Sequence, residues 1–298
     1  VTRIFFNFLA FFGFLWQDEE VMNKKTRITI TLNEDLLTKI DSLVDKEKIR
    51  NRSHAIESLI IKTLKPKISQ AVILAAGKGV RWRPLTYEIP KALIPIKGKP
   101  ILEHTINYLR DYNIRNIFVV VGNLGEKIKA YFGNGERFGV NITYIEDKKE
   151  KGTAPALKIV KNFIKNESFL LWYIDEIADI NINDLINFHA NHKALGTIAL
   201  SSVSDPIGLG AVKLQGPRIT EFLEKPSRKK IESYVVNAGV FVFQPEVFNY
   251  INDNTTSLEK EVFPKIAEEK KLYGYLFSGK WFDIGTPKVY ARVLKGWK

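Results

Sequence analysis

The sequence predicts an α/β fold with a mainly parallel sheet, and two observations carry that expectation. From Ala71 onward, short apolar runs alternate with amphipathic helical stretches. The first run, Ala71-Val72-Ile73, passes straight into Leu74-Ala75-Ala76-Gly77-Lys78-Gly79-Val80-Arg81-Trp82-Arg83-Pro84-Leu85-Thr86, a loop with two glycines and two arginines. A buried strand feeding such a loop lets backbone N–H groups and guanidinium forks approach a polyphosphate closely.

The elements follow in order. Residues 116–121 read as a buried strand, 125–132 as a helix, 142–145 as a strand and 154–163 as a helix. Residues 168–174 form a further strand that ends at Asp175, and 287–296 form the last helix. Ligands of such sheets bind beyond the carboxyl ends of the strands, where both the Gly77 loop and Asp175 fall.

Spacing excludes two phosphate-binding patterns. Trp82 stands where a dinucleotide fingerprint places its third glycine, and no Gly-Lys-Ser/Thr closes a P-loop. Together with Pro90-Lys91-Ala92-Leu93-Ile94-Pro95-Ile96 and Gly98-Lys99-Pro100-Ile101-Leu102, the loop closely resembles the signature of the sugar-1-phosphate nucleotidyltransferases. Mannose-1-phosphate guanylyltransferases are the nearest branch among these nucleoside-diphosphate-sugar pyrophosphorylases. The resemblance implies a Rossmann-like, mixed but mainly parallel sheet in three α/β/α layers over residues 71–298.

It also implies a reaction and a site. A sugar 1-phosphate attacks the α-phosphorus of a nucleoside triphosphate, and Mg²⁺ serves as cofactor. Asp175, after Phe169-Leu170-Leu171-Trp172-Tyr173-Ile174, and Asp283, in Trp281-Phe282-Asp283-Ile284-Gly285-Thr286-Pro287, match the family's metal aspartates. Arg81 and Lys91 fall to the triphosphate, Gly77 and Gly79 to backbone contacts with the nucleotide. In Phe222-Leu223-Glu224-Lys225-Pro226, the resemblance gives Lys225 the sugar phosphate and Glu224 the sugar hydroxyls. Asn237-Ala238-Gly239-Val240 resembles the sugar-binding strand, with Asn237 and Gly239 as contacts, and Gly152-Thr153-Ala154 the segment against nucleoside and sugar.

Three departures from the family pattern stand in the sequence. Val80 replaces a Thr of the phosphate loop, Tyr173-Ile174 replaces Asn-Gly before the metal aspartate, and Lys151 replaces a Leu. The Tyr173-Ile174 pair puts bulk where a backbone normally closes on the ligand. Either retuned substrate choice or weakened catalysis follows.

Composition sets the outer bounds. The 298 residues give room for one large domain and a small one, and 45% hydrophobic content suits a packed core. With no cysteine, disulfides and thiolate metal sites are excluded, and a reducing, cytoplasmic setting is expected. The formal charge of +12 favours polyanionic partners. Residues 4–16 are strongly aromatic but fall short of the ~20 residues that cross a bilayer, so no membrane association is expected. Met22, the sole methionine, reads as the natural start, which makes residues 1–21 translated upstream sequence.

Residues 22–65 have their own organisation, joined through 66–70 to the larger domain. Residues 26–32 alternate polar and apolar with period 2, so Ile28, Ile30 and Leu32 face one side. Asn33 and Ser53 read as N-caps of two amphipathic helices. One strand and two short helices bury too little to stand alone and need a partner chain. The pattern resembles the ribbon-helix-helix repressors, which implies a homodimer or higher homo-oligomer that binds DNA and regulates transcription. By position, Arg27, Thr29 and Thr31 would read bases and the helix start at Ser53 would hold a phosphate. Residues 22–68 carry eleven Lys/Arg against six Asp/Glu, a balance that suits DNA. Two functions follow: an active transferase fused to a DNA-binding module, or a regulator whose transferase fold senses a sugar nucleotide.

Overall fold

The computed structural model describes residues 28–64 and 68–297. The chain divides into two compact units between Lys65 and Pro66. The first contains helices α1 (Glu34–Asp41) and α2 (Arg52–Leu64). Asn33 caps α1 as expected, its Oδ1 accepting the Leu36 N–H at 2.9 Å.

Two expectations for this unit are corrected. Asn51, not Ser53, caps α2: its Oδ1 accepts the His54 N–H at 2.9 Å and its carbonyl the Ala55 N–H. Ser53 is already inside the first turn. Residues 28–33 form no strand, and Ile28 and Ile30 are 70% and 48% exposed. A ribbon needs a second strand for its backbone groups, and a single chain has none to offer. Thr29 and Thr31 are exposed, while Arg27 and residues 1–21 lie outside the described residues.

The second unit opens with β1 (Gln70–Ala75), β2 (Pro95–Ile96), β3 (Lys99–Pro100), α3 (Ile101–Asp111), β4 (Asn116–Val121) and α4 (Gly125–Phe132). Next come β5 (Asn141–Glu146), α5 (Thr153–Lys158), β6 (Phe169–Tyr173), β7 (Glu176–Ala178), α6 (Ile182–His192) and β8 (Gly196–Ser202). It closes with β9 (Gly210–Gln215), β10 (Arg218–Glu224), β11 (Val235–Phe243), α7 (Phe263–Glu268), β12 (Leu272–Leu276), β13 (Trp281–Asp283) and α8 (Pro287–Gly296). Ile68 is buried and Gln70 is paired in β1, so packing of this unit reaches back into residues read as linker. The helix expected over 154–163 ends as α5 at Lys158 and continues in tight turns.

Nine strands form one sheet in the order β5-β4-β1-β6-β11-β8-β12-β10-β9. Parallel pairing covers β5-β4-β1-β6 and β8-β12, while β6-β11, β11-β8, β12-β10 and β10-β9 are antiparallel. The sheet is thus mixed, and its second half is not mainly parallel. For β9 and β10 the reason is local: Gly216-Pro217 turns one directly into the other, and a two-residue hairpin can only join antiparallel strands, whereas the remaining antiparallel pairs join strands distant in sequence.

Both faces of the sheet are covered, which is why β1 is buried throughout and apolar after Gln70 rather than alternating. Ala71, Ile73 and Ala75 pack on one side with Ile101, Ile106, Leu185 and Val293 from α3, α6 and α8. Val72 and Leu74 pack on the other with Leu157, Phe263 and Ile266 from α5 and α7. These are the three expected layers. Beside the sheet, β7 and β13 form a small antiparallel ribbon in which Asp283 pairs with Glu176.

Candidate active site

The carboxyl ends of β1, β5 and β6 converge on a cavity of about 410 Å³. Gly77, Lys91, Gly152, Thr153, Tyr173 and Asp175 line it, all of them residues the sequence singled out. Gly77 borders open space, so a Cβ there would point into the cavity. At Gly79 the backbone is left-handed with φ +60°, and a Cβ would lie 2.8 Å from Thr86 Cγ2. Thr86 Oγ1 donates to the Gly79 carbonyl at 2.8 Å, so it is this hydroxyl that shapes the loop. Val80 is exposed and contributes nothing to that bond.

The charged centre is built from three segments far apart in the chain. The Lys91 ammonium donates to Asp175 Oδ2 at 2.8 Å, and both side chains are largely buried. Burial alone would raise the Asp175 carboxyl, but the charge and hydrogen bond of Lys91, with Arg81 behind them, hold it below the usual carboxylate value. Asp283 is pushed the other way, by burial and then by the charge of Asp175, with Arg81 opposing. Its buried Oδ1 has no hydrogen-bond partner. The Ile284 N–H donates to the Asp175 carbonyl at 2.7 Å, which ties the two aspartate segments together.

Arg81 reaches this centre over Gly285. Its guanidinium lies where the Cβ of any larger residue would be. The neighbouring Trp82 fixes the loop from below, its indole N–H donating to the Ile284 carbonyl at 3.0 Å. Asp283 and Gly285 are therefore positioned by the same segment that seats Arg81.

A second cluster lies where the remaining predicted residues meet. Glu224 ends β10, with the exposed Lys225 3.1 Å from its Oε1. Burial raises the Glu224 carboxyl despite the opposing Lys225 charge. Asn237 Oδ1 accepts the Gly239 N–H at 2.8 Å across an irregularity in the β11–β8 pairing, and Gly239 takes φ +69°. Gly152 (φ +124°) packs on the Thr256 carbonyl so closely that no Cβ fits. The Thr153 hydroxyl is fully engaged, accepting from the Leu258 N–H and donating to Glu259 Oε2 at 2.8 Å.

Two participants, Glu259 and Glu176, were not singled out from the sequence. Glu259 also accepts from the Tyr173 hydroxyl at 2.5 Å and from Ser257 Oγ at 2.7 Å. Burial, then the Glu259 charge, pushes the Tyr173 phenol well above its usual range, so it stays a donor. Glu176 accepts the Trp281 indole N–H at 2.8 Å and packs against Gly239. Burial and the two aspartates push its carboxyl well above the usual range. A buried carboxylate without a charge partner has no signal in sequence beyond its place next to Asp175. Tyr173 and Ile174 both line the cavity, Ile174 also packing into the core, so both positions place bulk beside a ligand. Lys151 is exposed.

Residues 70–296 match the family model described as Nucleotidyl transferase. The chain belongs to that family. The catalytic subunit beta of mannose-1-phosphate guanylyltransferase from Danio rerio is 35% identical over 226 residues, covering 74% of this chain and 62% of the relative. A mannose-1-phosphate guanyltransferase from Saccharomyces cerevisiae is 34% identical over 230 residues, with the same coverage of 74% and 62%. This nucleotidyl transferase chain thus spans about three fifths of the length of these relatives. A solved UDP-glucose pyrophosphorylase in complex with UDP-glucose shares the fold, with a TM-score of 0.69 at 20% identity over 77% of this chain and 98% of that one. Among the described residues, no helix is long and apolar enough to cross a membrane.

Proposed function

We propose that this chain transfers a nucleoside monophosphate from a nucleoside triphosphate to a sugar 1-phosphate, with GTP and mannose 1-phosphate as the substrates. The observation that carries the reading is the charged centre: Arg81 and Lys91 gathered around Asp175 and Asp283 at the carboxyl ends of the sheet. The mannose-1-phosphate guanylyltransferases it resembles support the choice of base and sugar.

The chemistry needs little from acid–base groups. A phosphate oxygen of the sugar 1-phosphate attacks the α-phosphorus, the bond from that phosphorus to the β-phosphate oxygen breaks, and pyrophosphate leaves. The nucleophile is already anionic near neutral pH. Positioning and charge stabilisation remain. Arg81 and Lys91 offset charge on the triphosphate, the Gly77–Gly79 backbone admits it closely, and Lys225 takes the sugar phosphate. Glu224, Asn237 and Gly239 orient the sugar.

Asp175 and Asp283 fit a divalent cation of the Mg²⁺ type. They offer hard oxygens, one of them a buried Oδ1 without a partner, and their mutual repulsion calls for a counter-charge. Among the described residues no group of three or more His, Cys, Asp or Glu is placed to hold a metal, so substrate phosphate and water would complete the shell. When bound, the cation withdraws charge from the α-phosphate. Pyrophosphate release across a panel of nucleoside triphosphates and sugar 1-phosphates tests the function: rapid release with GTP and mannose 1-phosphate supports it, and no release with any pair refutes it.

We also propose that residues 22–65 pair with a second copy through the 26–32 segment and bind DNA. The exposed Ile28 and Ile30 and the basic residues Arg50 and Arg52 at the start of α2 support this. Arg52 is held by Asp41 through two short bonds, of 2.5 and 2.7 Å. Sedimentation together with mobility shift of duplex DNA tests the pairing and the binding; a monomer with no shift refutes both.

A further inference from the structure

Two indoles hold Glu176 in place. The Trp172 N–H donates to its carbonyl at 2.9 Å, and the Trp281 N–H to its Oε2 at 2.8 Å. In the ribbon of β7 and β13, Glu176 stands opposite Asp283 and Ala178 opposite Trp281, so Glu176, Trp281 and Asp283 share one face of the ribbon.

That face meets a weak point of the main sheet. β11 pairs with β8 on both sides of an irregularity, and its pairing register includes neither Ala238 nor Gly239. The ribbon supplies what the ladder does not. The Trp281 N–H is shared with the Ala238 carbonyl at 3.1 Å, and the Glu176 side chain fills the space beside Gly239, where a Cβ would run into its Cγ. Gly239 also takes φ +69°, so its conformation and its neighbour both exclude a side chain.

One carboxylate thus touches the strand read as sugar-binding and the strand that carries Asp283. Only 8% of Glu176 is exposed and its Oε2 is already taken, so it acts through its neighbours rather than on a substrate.

Building on the transferase reading, we propose that Glu176 is a positioning residue: it clamps β11 to the β7–β13 ribbon and so sets the sugar 1-phosphate in line with the α-phosphorus at Asp175 and Asp283. In-line displacement depends on this alignment, because a misplacement of about 1 Å can cost ~10²-fold in rate.

The test is steady-state kinetics of the full chain with GTP, mannose 1-phosphate and Mg²⁺, for wild type, Glu176→Ala, Glu176→Gln and Trp281→Phe. Glu176→Ala and Trp281→Phe are each expected to lower kcat ~10- to 100-fold and to raise KM for mannose 1-phosphate, with KM for GTP as in wild type. The double variant is expected to be no slower than the slower single one, because both changes remove the same clamp. Glu176→Gln, whose amide oxygen still accepts the indole N–H, is expected to recover most of the rate. Wild-type kinetics in Glu176→Ala, a Glu176→Gln as slow as Glu176→Ala, or KM values for both substrates rising together overturns the proposal. Wild-type turnover separates the two readings. If wild type releases no pyrophosphate from any pair of nucleoside triphosphate and sugar 1-phosphate, the transferase reading falls and calorimetric titration decides the clamp. Glu176→Ala binding mannose 1-phosphate more weakly, and GTP as wild type does, supports it; equal or absent binding of mannose 1-phosphate in the two proteins overturns it.

Discussion

Trp82 and Ile284 stand 202 positions apart and are joined by an indole N–H to carbonyl bond of 3.0 Å. Tyr290 of α8 meets the same indole edge-on, with ring centroids 5.3 Å apart. Ile284 in turn donates its N–H to the Asp175 carbonyl. One residue between Asp283 and Gly285 thus ties the phosphate loop to both aspartate segments, and disturbing this tie disturbs the whole charged centre.

Trp82→Phe keeps the apolar bulk and removes the N–H. The buried Ile284 carbonyl then loses its indole donor, a loss of about 1–3 kcal/mol in unfolding stability. Denaturant titration is expected to show it, together with a fall in kcat larger than any rise in KM. Unchanged stability and kcat would mean that the bond does not position the loop.

Gly285→Ala and Gly77→Ala separate two uses of glycine. At position 285 the new methyl group collides with the Arg81 guanidinium, and kcat is expected to fall ~10²-fold, as for loss of one stabilising donor. At position 77 the methyl enters open cavity, so melting temperature is expected to hold while KM for the triphosphate rises. Steady-state kinetics beside thermal melts of both variants check this contrast.

Lys91→Met removes the ammonium that holds Asp175 low, leaving a carboxylate that burial raises and that, among the cations named, only Arg81 opposes. The variant is expected to lose activity ~10²-fold or more and to need a higher Mg²⁺ concentration at half-maximal rate. A Mg²⁺ titration identical to wild type would count against the pairing.

His189 gives a pH dependence away from the site. It is buried, with Nδ1 2.8 Å from Thr197 Oγ1 and Nε2 3.2 Å from Gln244 Nε2, and burial lowers its value from 6.5 to about 4. The unfolded chain therefore binds a proton between pH 6.5 and about 4 that the folded chain does not, so stability falls as pH drops through that window. The loss is about 3 kcal/mol at most. Unfolding free energies at pH 7 and 5 are expected to differ less in His189→Asn than in wild type.

Much of this molecule was legible in its sequence where a local rule governs. The strand at 116–121 and the helices at 125–132 and 287–296 follow from the pattern of apolar residues; the structure adds that Thr286 Oγ1 accepts the Val289 N–H before Pro287. The cap of α2 was misread because Asn51 and Ser53 both suit the role, and only the Asn51 carbonyl starts the helical ladder. The antiparallel half of the sheet depended on which strands pair, a long-range choice that alternation does not encode. Within the site, Gly77, Lys91 and Asp175 announced themselves by motif. The Tyr173–Glu259 and Trp281–Glu176 bonds arise from residues brought together by folding, and neither glutamate carries a signal alone.

The most direct measurement is formation of sugar nucleotide and pyrophosphate from GTP and mannose 1-phosphate in Mg²⁺, by wild type and by Asp283→Asn. The expected result is equimolar products from wild type and a rate at least ~10²-fold lower in the variant, whose circular dichroism is unchanged. Equal rates in the two proteins, or no product from wild type, would contradict the assignment of this charged centre to nucleotidyl transfer.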